Sequence, residues 1–160
     1  MASAPLAVLA ALAISACGSS HHASGPTRAQ YISSADAICS NAQGQVTPLL
    51  HKLETGATSL SANSRQLAAT AEKLHTLAAG YLARLSALPR PSADKTELAG
   101  IVTLTDEVVN TIGQGASALA AGNTVAALAT LASAESAAST ADKALHAYGL
   151  TSCAAVFDVS

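Results

Sequence analysis

Apolar residues that recur in alternating steps of four and three positions are the feature that most constrains this chain. The pattern is clearest over 67–88, where it persists for three heptads and places one apolar stripe along a helix. Its members are Leu67, Ala71, Leu74, Ala78, Tyr81, Leu85 and Leu88. Pro89 and Pro91 follow directly and cannot continue a helix. The segment is therefore predicted to be a long amphipathic helix that ends before Pro89.

Three further segments carry the same periodicity and are bounded by residues that start or stop helices. The first helix is predicted to begin with a capping box between Thr27 and Gln30, and Pro48 is expected to kink it or split off its last turns. The third helix is expected to be capped by Ser92 or Asp94. The stripes are Tyr31, Ala35, Ile38, Ala42, Val46, Leu49 and Leu53; then Leu98, Ile101, Thr105, Val108, Ile112, Ala116 and Leu119; then Val125, Leu128, Leu131, Ala134, Ala138, Ala141, Leu145 and Tyr148.

Short connections between these helices predict the architecture. Gly122-Asn123 supplies a helix stop and a new cap in two residues, and Gly149 followed by Leu150 predicts a Schellman ending. Alanine dominates the composition and leucine is the main bulky residue, which favours helix over sheet. We therefore predict an all-α fold, an antiparallel up-down-up-down four-helix bundle over 27–153.

The N-terminus carries a short apolar run over 6–14. About nine residues cannot cross about 30 Å of hydrocarbon, so the run is typical of a secretory signal rather than a spanning helix. Ile14-Ser15-Ala16-Cys17 resembles the lipobox of bacterial lipoproteins, which implies a cleaved signal peptide (1–16) and a lipidated Cys17 as mature N-terminus. Residues 1–5 lack the usual Lys or Arg, so either the N-terminal amine supplies the only positive charge or the true start lies upstream. An unlipidated secreted protein and an uncleaved anchor stay open as alternatives.

The assignment of the remaining segments depends on the predicted secretion and lipidation. Residues 17–26 are predicted to be a lipidated cysteine with a flexible tether, and 154–160 a C-terminal tail. The chain has three cysteines, so Cys39 and Cys153 remain as an even pair in an oxidising compartment. We predict that they form a disulfide that closes the bundle, the alternative being two buried thiols. The expected location is the outer face of the bacterial cytoplasmic membrane.

Composition limits the partners. The formal net charge is −2, without a cluster of Lys or Arg, and the aromatic residues are three Tyr and one Phe. Such a chain has neither the cations that neutralise phosphates nor a platform for stacking bases, so nucleic acid is not an expected partner.

Candidate sites of chemistry do not assemble in the sequence. Glu72 and His75 have the spacing of a di-iron pair, but that site requires two such pairs. His51, His75 and His146 fall at different heights along their helices, so they cannot converge on one zinc ion. Asp142 and His146 are expected to form at most a surface pair, and Glu135 to lie at the rim. We therefore expect no catalytic, cofactor or metal site.

Two further features concern packing and charge. Gly113 and Gly115 interrupt the third helix and are expected to let a neighbouring helix approach closely, or else to mark a bend beside a cavity. The stretch Val108–Ala134 has no charged residue, and its length would suit a membrane span. Because Asn110, Gln114 and the Gly122-Asn123 turn interrupt it, we expect a folded hairpin whose tip contacts a partner.

Both ends of the domain carry recognisable segments, Tyr31–Cys39 and Tyr148–Cys153. Together with the lipobox they resemble a group of small, alanine-rich lipoproteins and secreted proteins of actinobacteria. The resemblance implies architecture and compartment, and no activity. The expected function is that of a lipid-anchored, non-enzymatic binding or adaptor module of the cell envelope with a protein partner at the hairpin tip. The alternative is a carrier of a small apolar ligand or lipid inside the bundle.

Overall fold

A computed structural model describes residues 25–57 and 60–157. They form four long helices and a final one-turn helix: α1 (Arg28–Ala57), α2 (Leu60–Ser86), α3 (Lys95–Ala120), α4 (Thr124–Tyr148) and α5 (Thr151–Ala154). No strand occurs in this part of the chain, which confirms the all-α prediction. The predicted signal peptide, Cys17 and the tether up to residue 24 lie outside the described residues, as does the end of the tail from residue 158.

The predicted start of α1 is confirmed in atomic detail. The Thr27 amide donates to Gln30 Oε1 over 2.9 Å, and the Gln30 amide donates to Thr27 Oγ1 over 3.3 Å. These reciprocal bonds are the capping box. By contrast, Pro48 does not split the helix, because α1 continues without interruption to Ala57. Pro48 has no N–H to donate to the Gly44 carbonyl. Both residues are exposed, so water can bond to that carbonyl instead.

Both predicted glycine endings are present. Gly122 has φ +72° and Gly149 has φ +99°, in the left-handed region that residues with a Cβ avoid. Both backbone hydrogen bonds of a Schellman motif form at each glycine. The longer-range bond of each motif joins the Asn123 amide to the Ala118 carbonyl, and the Leu150 amide to the Leu145 carbonyl, both over 2.9 Å. These endings set where α3 and α4 stop.

The helices contact one another in chain order. α1 packs on α2, α2 on α3 and α3 on α4, while α5 contacts both α1 and α4. The predicted disulfide between Cys39 and Cys153 is present, with an S–S distance of 2.04 Å, and fastens α5 to α1. Val156, just beyond α5, packs against two core clusters: Tyr31, Ala35, Cys39, Leu98, Ile101, Leu145, Tyr148, Leu150, Cys153 and Ala154 in one, and Val46, Leu49 and Leu74 in the other.

The predicted stripes are buried along α1 and most of α3, but only half of α4 follows the prediction. Ala141, Leu145 and Tyr148 are buried. The first three residues of the stripe are exposed instead: Val125 by 78%, Leu128 by 51% and Leu131 by 58%. The extensive contacts of α4 are with α3 and with α5, and α5 lies near the C-terminal end of α4. The N-terminal half therefore packs on α3, and the apolar stripe predicted for α4 does not form a buried face at these three residues.

Candidate binding surface

The turn between α3 and α4 leads into the most exposed apolar residues described. Asn123 caps α4 by accepting a hydrogen bond from the Ala126 amide over 3.1 Å. Val125, Leu128 and Leu131 follow at steps of three, so they rotate by about 60° per step and span about 9 Å of the helix. We call the stretch 122–131 with these three side chains the hairpin tip. It forms a short apolar band open to solvent.

The hairpin tip is also free of charge. The nearest charged residues along the chain are Glu107 and Glu135, so the uncharged stretch covers the end of α3, the turn and the first half of α4. Contiguous exposed apolar patches are a feature of interaction sites, so the hairpin tip is the candidate binding surface. The sequence located the tip, whereas the exposure of its side chains was missed because the periodic stripe extends through it.

The close approach expected at Gly113 and Gly115 is found at Gly113 alone, and what approaches there is a side chain. A methyl group at Gly113 would lie 2.9 Å from His75 Nε2, so this glycine makes room for the imidazole. A Cβ at Gly115 would lie 3.6 Å from the methyl of Thr130, at ordinary contact distance. Gly113 thereby sets the position of His75 between α2 and α3.

Two open grooves adjoin His75 on the surface where α2 meets α3. The first has a volume of about 400 Å³, and its lining residues are His75, Ala79, Leu82, Ala83, Ser86, Val102, Thr103, Asp106, Val109 and Asn110. The second, of about 690 Å³, is lined by Glu72, His75, Asn110, Gly113, Gln114 and Ser117. His75 and Asn110 line both, so the two grooves are continuous.

The remaining candidate residues form local pairs. His146 Nε2 lies 3.5 Å from Asp142 Oδ1, the surface pair expected from their spacing, and His51 Nδ1 lies 3.4 Å from Glu54 Oε2. Glu135 is exposed. Within residues 25–57 and 60–157, no three His, Cys, Asp or Glu side chains are grouped so that they could hold a metal ion.

A cluster around Tyr148 was missed by the sequence analysis. The Tyr148 hydroxyl donates to Asp94 Oδ2 over 2.7 Å. Asp94 occupies the N-cap position of α3, but its side chain makes no capping hydrogen bond, contrary to the prediction. The Arg28 guanidinium lies 4.0 Å from the centre of the Tyr148 ring and donates to the Tyr148 carbonyl over 2.8 Å. Tyr31 meets the same ring edge-on at 6.1 Å. We call these four residues the tyrosine end.

Two phenols of the tyrosine end are shifted in their acidity. Burial raises the pKa of Tyr148, and its hydrogen bond to the Asp94 carboxylate raises it further. Burial also raises the pKa of Tyr31, an effect that the charge of Arg90 partly opposes. Both tyrosines therefore hold their protons more firmly than free tyrosine does. Every partner is distant in the sequence, since Tyr148 lies 54 positions from Asp94 and 120 from Arg28.

No protein-family model, curated protein or solved structure matches the chain. Among the described helices, none is both long enough and apolar enough to cross a membrane.

Proposed function

We propose that this chain is a lipid-anchored, non-enzymatic binding module of the bacterial cell envelope, and that its protein partner contacts the hairpin tip. Cys17 would carry the acyl group and hold the domain at the outer face of the cytoplasmic membrane. The lipobox-like sequence at Ile14–Cys17 supports the anchor. The Cys39–Cys153 disulfide supports an oxidising compartment, since such bonds persist outside the cytoplasm.

The proposed architecture is an antiparallel up-down-up-down bundle. Its support is the pairing of residues between neighbouring helices. Late α1 meets early α2 at Gly56 and Leu67, whereas earlier in α1 Asn41 accepts a hydrogen bond from Tyr81, late in α2. Contacts whose numbers run in opposite senses are those of antiparallel helices. In such a bundle the lipid precedes α1, and the hairpin tip lies at the far end, about 37 Å out.

The observation that carries the proposed binding role is the exposure of Val125, Leu128 and Leu131 at an uncharged tip. Leaving large apolar side chains in water forfeits the free energy that burial would supply, about 25 cal/mol for each Å². A partner that covers the band would recover this free energy. A tip held away from the membrane is also accessible to other envelope proteins.

The test of the binding site is crosslinking in intact cells, with a photoreactive residue in place of Asn123. We expect one dominant crosslinked protein. A triple variant with Val125→Ser, Leu128→Ser and Leu131→Ser should lose it. The control pair Ala129→Ser and Ala147→Ser changes exposed positions of the same helix and should keep it. A crosslink that survives the triple variant, or its absence in the unaltered protein, contradicts the proposal.

The test of the anchor is separate. Cys17→Ser should move the protein from the membrane fraction to the soluble fraction, and intact-mass analysis should find an acyl group on the unaltered chain. A membrane-bound Cys17→Ser variant would contradict the anchor and leave the tip untouched.

The alternative proposal, a carrier of an apolar ligand inside the bundle, predicts a bound molecule. Native mass spectrometry of gently purified protein should then show one, in stoichiometric amount. The two grooves described above are open at the surface of α2 and α3 rather than enclosed, so they give this alternative little support.

A further inference from the structure

The groove between α2 and α3 has a composition that selects one class of small molecule. Its apolar side chains belong to both helices, with Ala79 and Leu82 from α2 and Val102 and Val109 from α3. Its volume, about 400 Å³, lies in the range of sites for small ligands. An apolar body of modest size can therefore lie along this groove with one side against it.

The charges of the two continuous grooves have a single sign. Asp106 is the one charged residue of the first lining and Glu72 the one of the second, counting histidine as neutral. Lys73 and Arg84 of α2 are next in sequence to lining residues, but neither lines a groove, and Arg84 lies over the Tyr81 ring at 5.5 Å. Tyr81 in turn bonds to α1, so this guanidinium does not neutralise the groove. An electronegative rim over an apolar floor favours a cationic head on an apolar body.

Free hydrogen-bonding capacity lies at the same place. Asn110 Nδ2 donates to Asp106 Oδ2 over 2.9 Å, which orients the carboxylate. Among the described residues, Asp106 Oδ1 has no hydrogen-bond or ion-pair partner, and neither has the imidazole of His75. Gly113 holds that imidazole at the junction of the two grooves. The carboxylate and the imidazole can therefore both accept from an ammonium group.

We infer that the α2–α3 groove binds small amphiphilic cations, with an ammonium group at Asp106 and His75 and an apolar body over Leu82 and Val109. This site is independent of the hairpin tip and goes beyond the proposed partner binding. The primary ammonium is the head group of choice because it presents three donors to these acceptors.

The test uses three probes of equal chain length, octylammonium, octanol and octanoate, titrated into the full chain by calorimetry and by amide chemical-shift mapping. Octylammonium should bind more tightly than either of the others, by up to about fivefold, the most that one exposed ion pair contributes. Its shifts should centre on Ala83, Asp106 and Val109. Equal affinity for the neutral or anionic probe, or shifts centred on the hairpin tip, would overturn the inference.

Variants locate the site. Asp106→Asn keeps the shape of an exposed side chain and should lower octylammonium affinity about fivefold, whereas the matched Asp142→Asn variant removes an equal charge from α4 and should change nothing. Ala83→Leu places bulk in the groove at an exposed helical position and should weaken binding with the charge intact. The triple tip variant should bind octylammonium normally. If Asp106→Asn and Asp142→Asn bind octylammonium equally, the inference is wrong.

Discussion

Both ends of α4 carry large apolar side chains, and these side chains are buried at one end and exposed at the other. Around Tyr148 the apolar side chains of a core cluster are buried, and α1, α3 and α5 all contribute residues to that cluster. Around Val125, about 34 Å away along the helix, the apolar side chains face water. The difference lies in the covering elements, since α5 and its disulfide reach only the tyrosine end. Burial here is decided by what the chain brings alongside a helix rather than by the helix's own stripe.

The largest effect should come from removing the covalent bond at the tyrosine end. A double variant, Cys39→Ser with Cys153→Ser, releases a crosslink between residues 114 positions apart. It should lower the free energy of unfolding by about 3–4 kcal/mol in urea titrations, with the helical circular dichroism of the folded state retained. Cys17→Ser, a thiol change outside this cluster, is the control. Equal free energies of unfolding for the two variants would mean that the disulfide does not stabilise the fold.

The second effect is a loss of stability in alkali. Burial, reinforced by Asp94 in the case of Tyr148, raises the pKa of Tyr148 and Tyr31 above the ordinary 10.0. Above pH 10 the unfolded chain releases these protons and the folded protein keeps them. Stability should therefore be unaffected below pH 10 and should fall above it, by about 1.4 kcal/mol per pH unit for Tyr148 and with a further loss from Tyr31. Urea unfolding between about pH 9 and pH 11 measures this slope.

Phenolate absorbance provides the independent check on the same groups. In the folded protein Tyr148 should ionise well above pH 10 and Tyr31 should ionise above pH 10, whereas in urea both should ionise near 10. Ionisation of Tyr31 and Tyr148 near pH 10 without unfolding would contradict the protected state of the tyrosine end.

A smaller effect should follow from Tyr148→Phe. The variant keeps the aromatic ring but loses the hydrogen bond to Asp94. The partly buried Asp94 carboxylate then has no hydrogen-bond donor among the described residues. The expected cost is about 1–3 kcal/mol in the free energy of unfolding. Tyr81→Phe is the matched control, because that hydroxyl bonds to Asn41 and Gln45 on an exposed surface. Its cost should be under about 1 kcal/mol, and equal costs would break the contrast between the two regions.

The smallest effect should be at the hairpin tip. The pair Leu128→Ser and Leu131→Ser should change the free energy of unfolding by less than about 0.5 kcal/mol, because both side chains already face water. Leu145→Ala in the same helix, at 2% exposure, should cost about 2–5 kcal/mol. A large loss at the tip would show that another element covers it in solution.

Local chemistry was predictable from the sequence, and distant contacts were not. The capping box at Thr27 and the glycine endings at Gly122 and Gly149 depend on residues within one turn of one another, and all are confirmed. The disulfide followed from the cysteine count and the inferred compartment. Which half of α4 is buried could not be predicted, because an apolar stripe shows which face of a helix can be buried and not whether another element covers it. Likewise, the position of Asp94 at the start of α3 does not predict that its carboxylate accepts a hydrogen bond from Tyr148.

The position of α5 also constrains how this protein acquires its final form. α5 follows every other helix in the chain, and its Cys153 bonds to Cys39 of α1. During synthesis Cys39 is therefore made 114 residues before Cys153, and the disulfide can form only once α5 has been made. A chain that stopped at Gly149 would lack both the disulfide and the element that contacts α1 and α4 together.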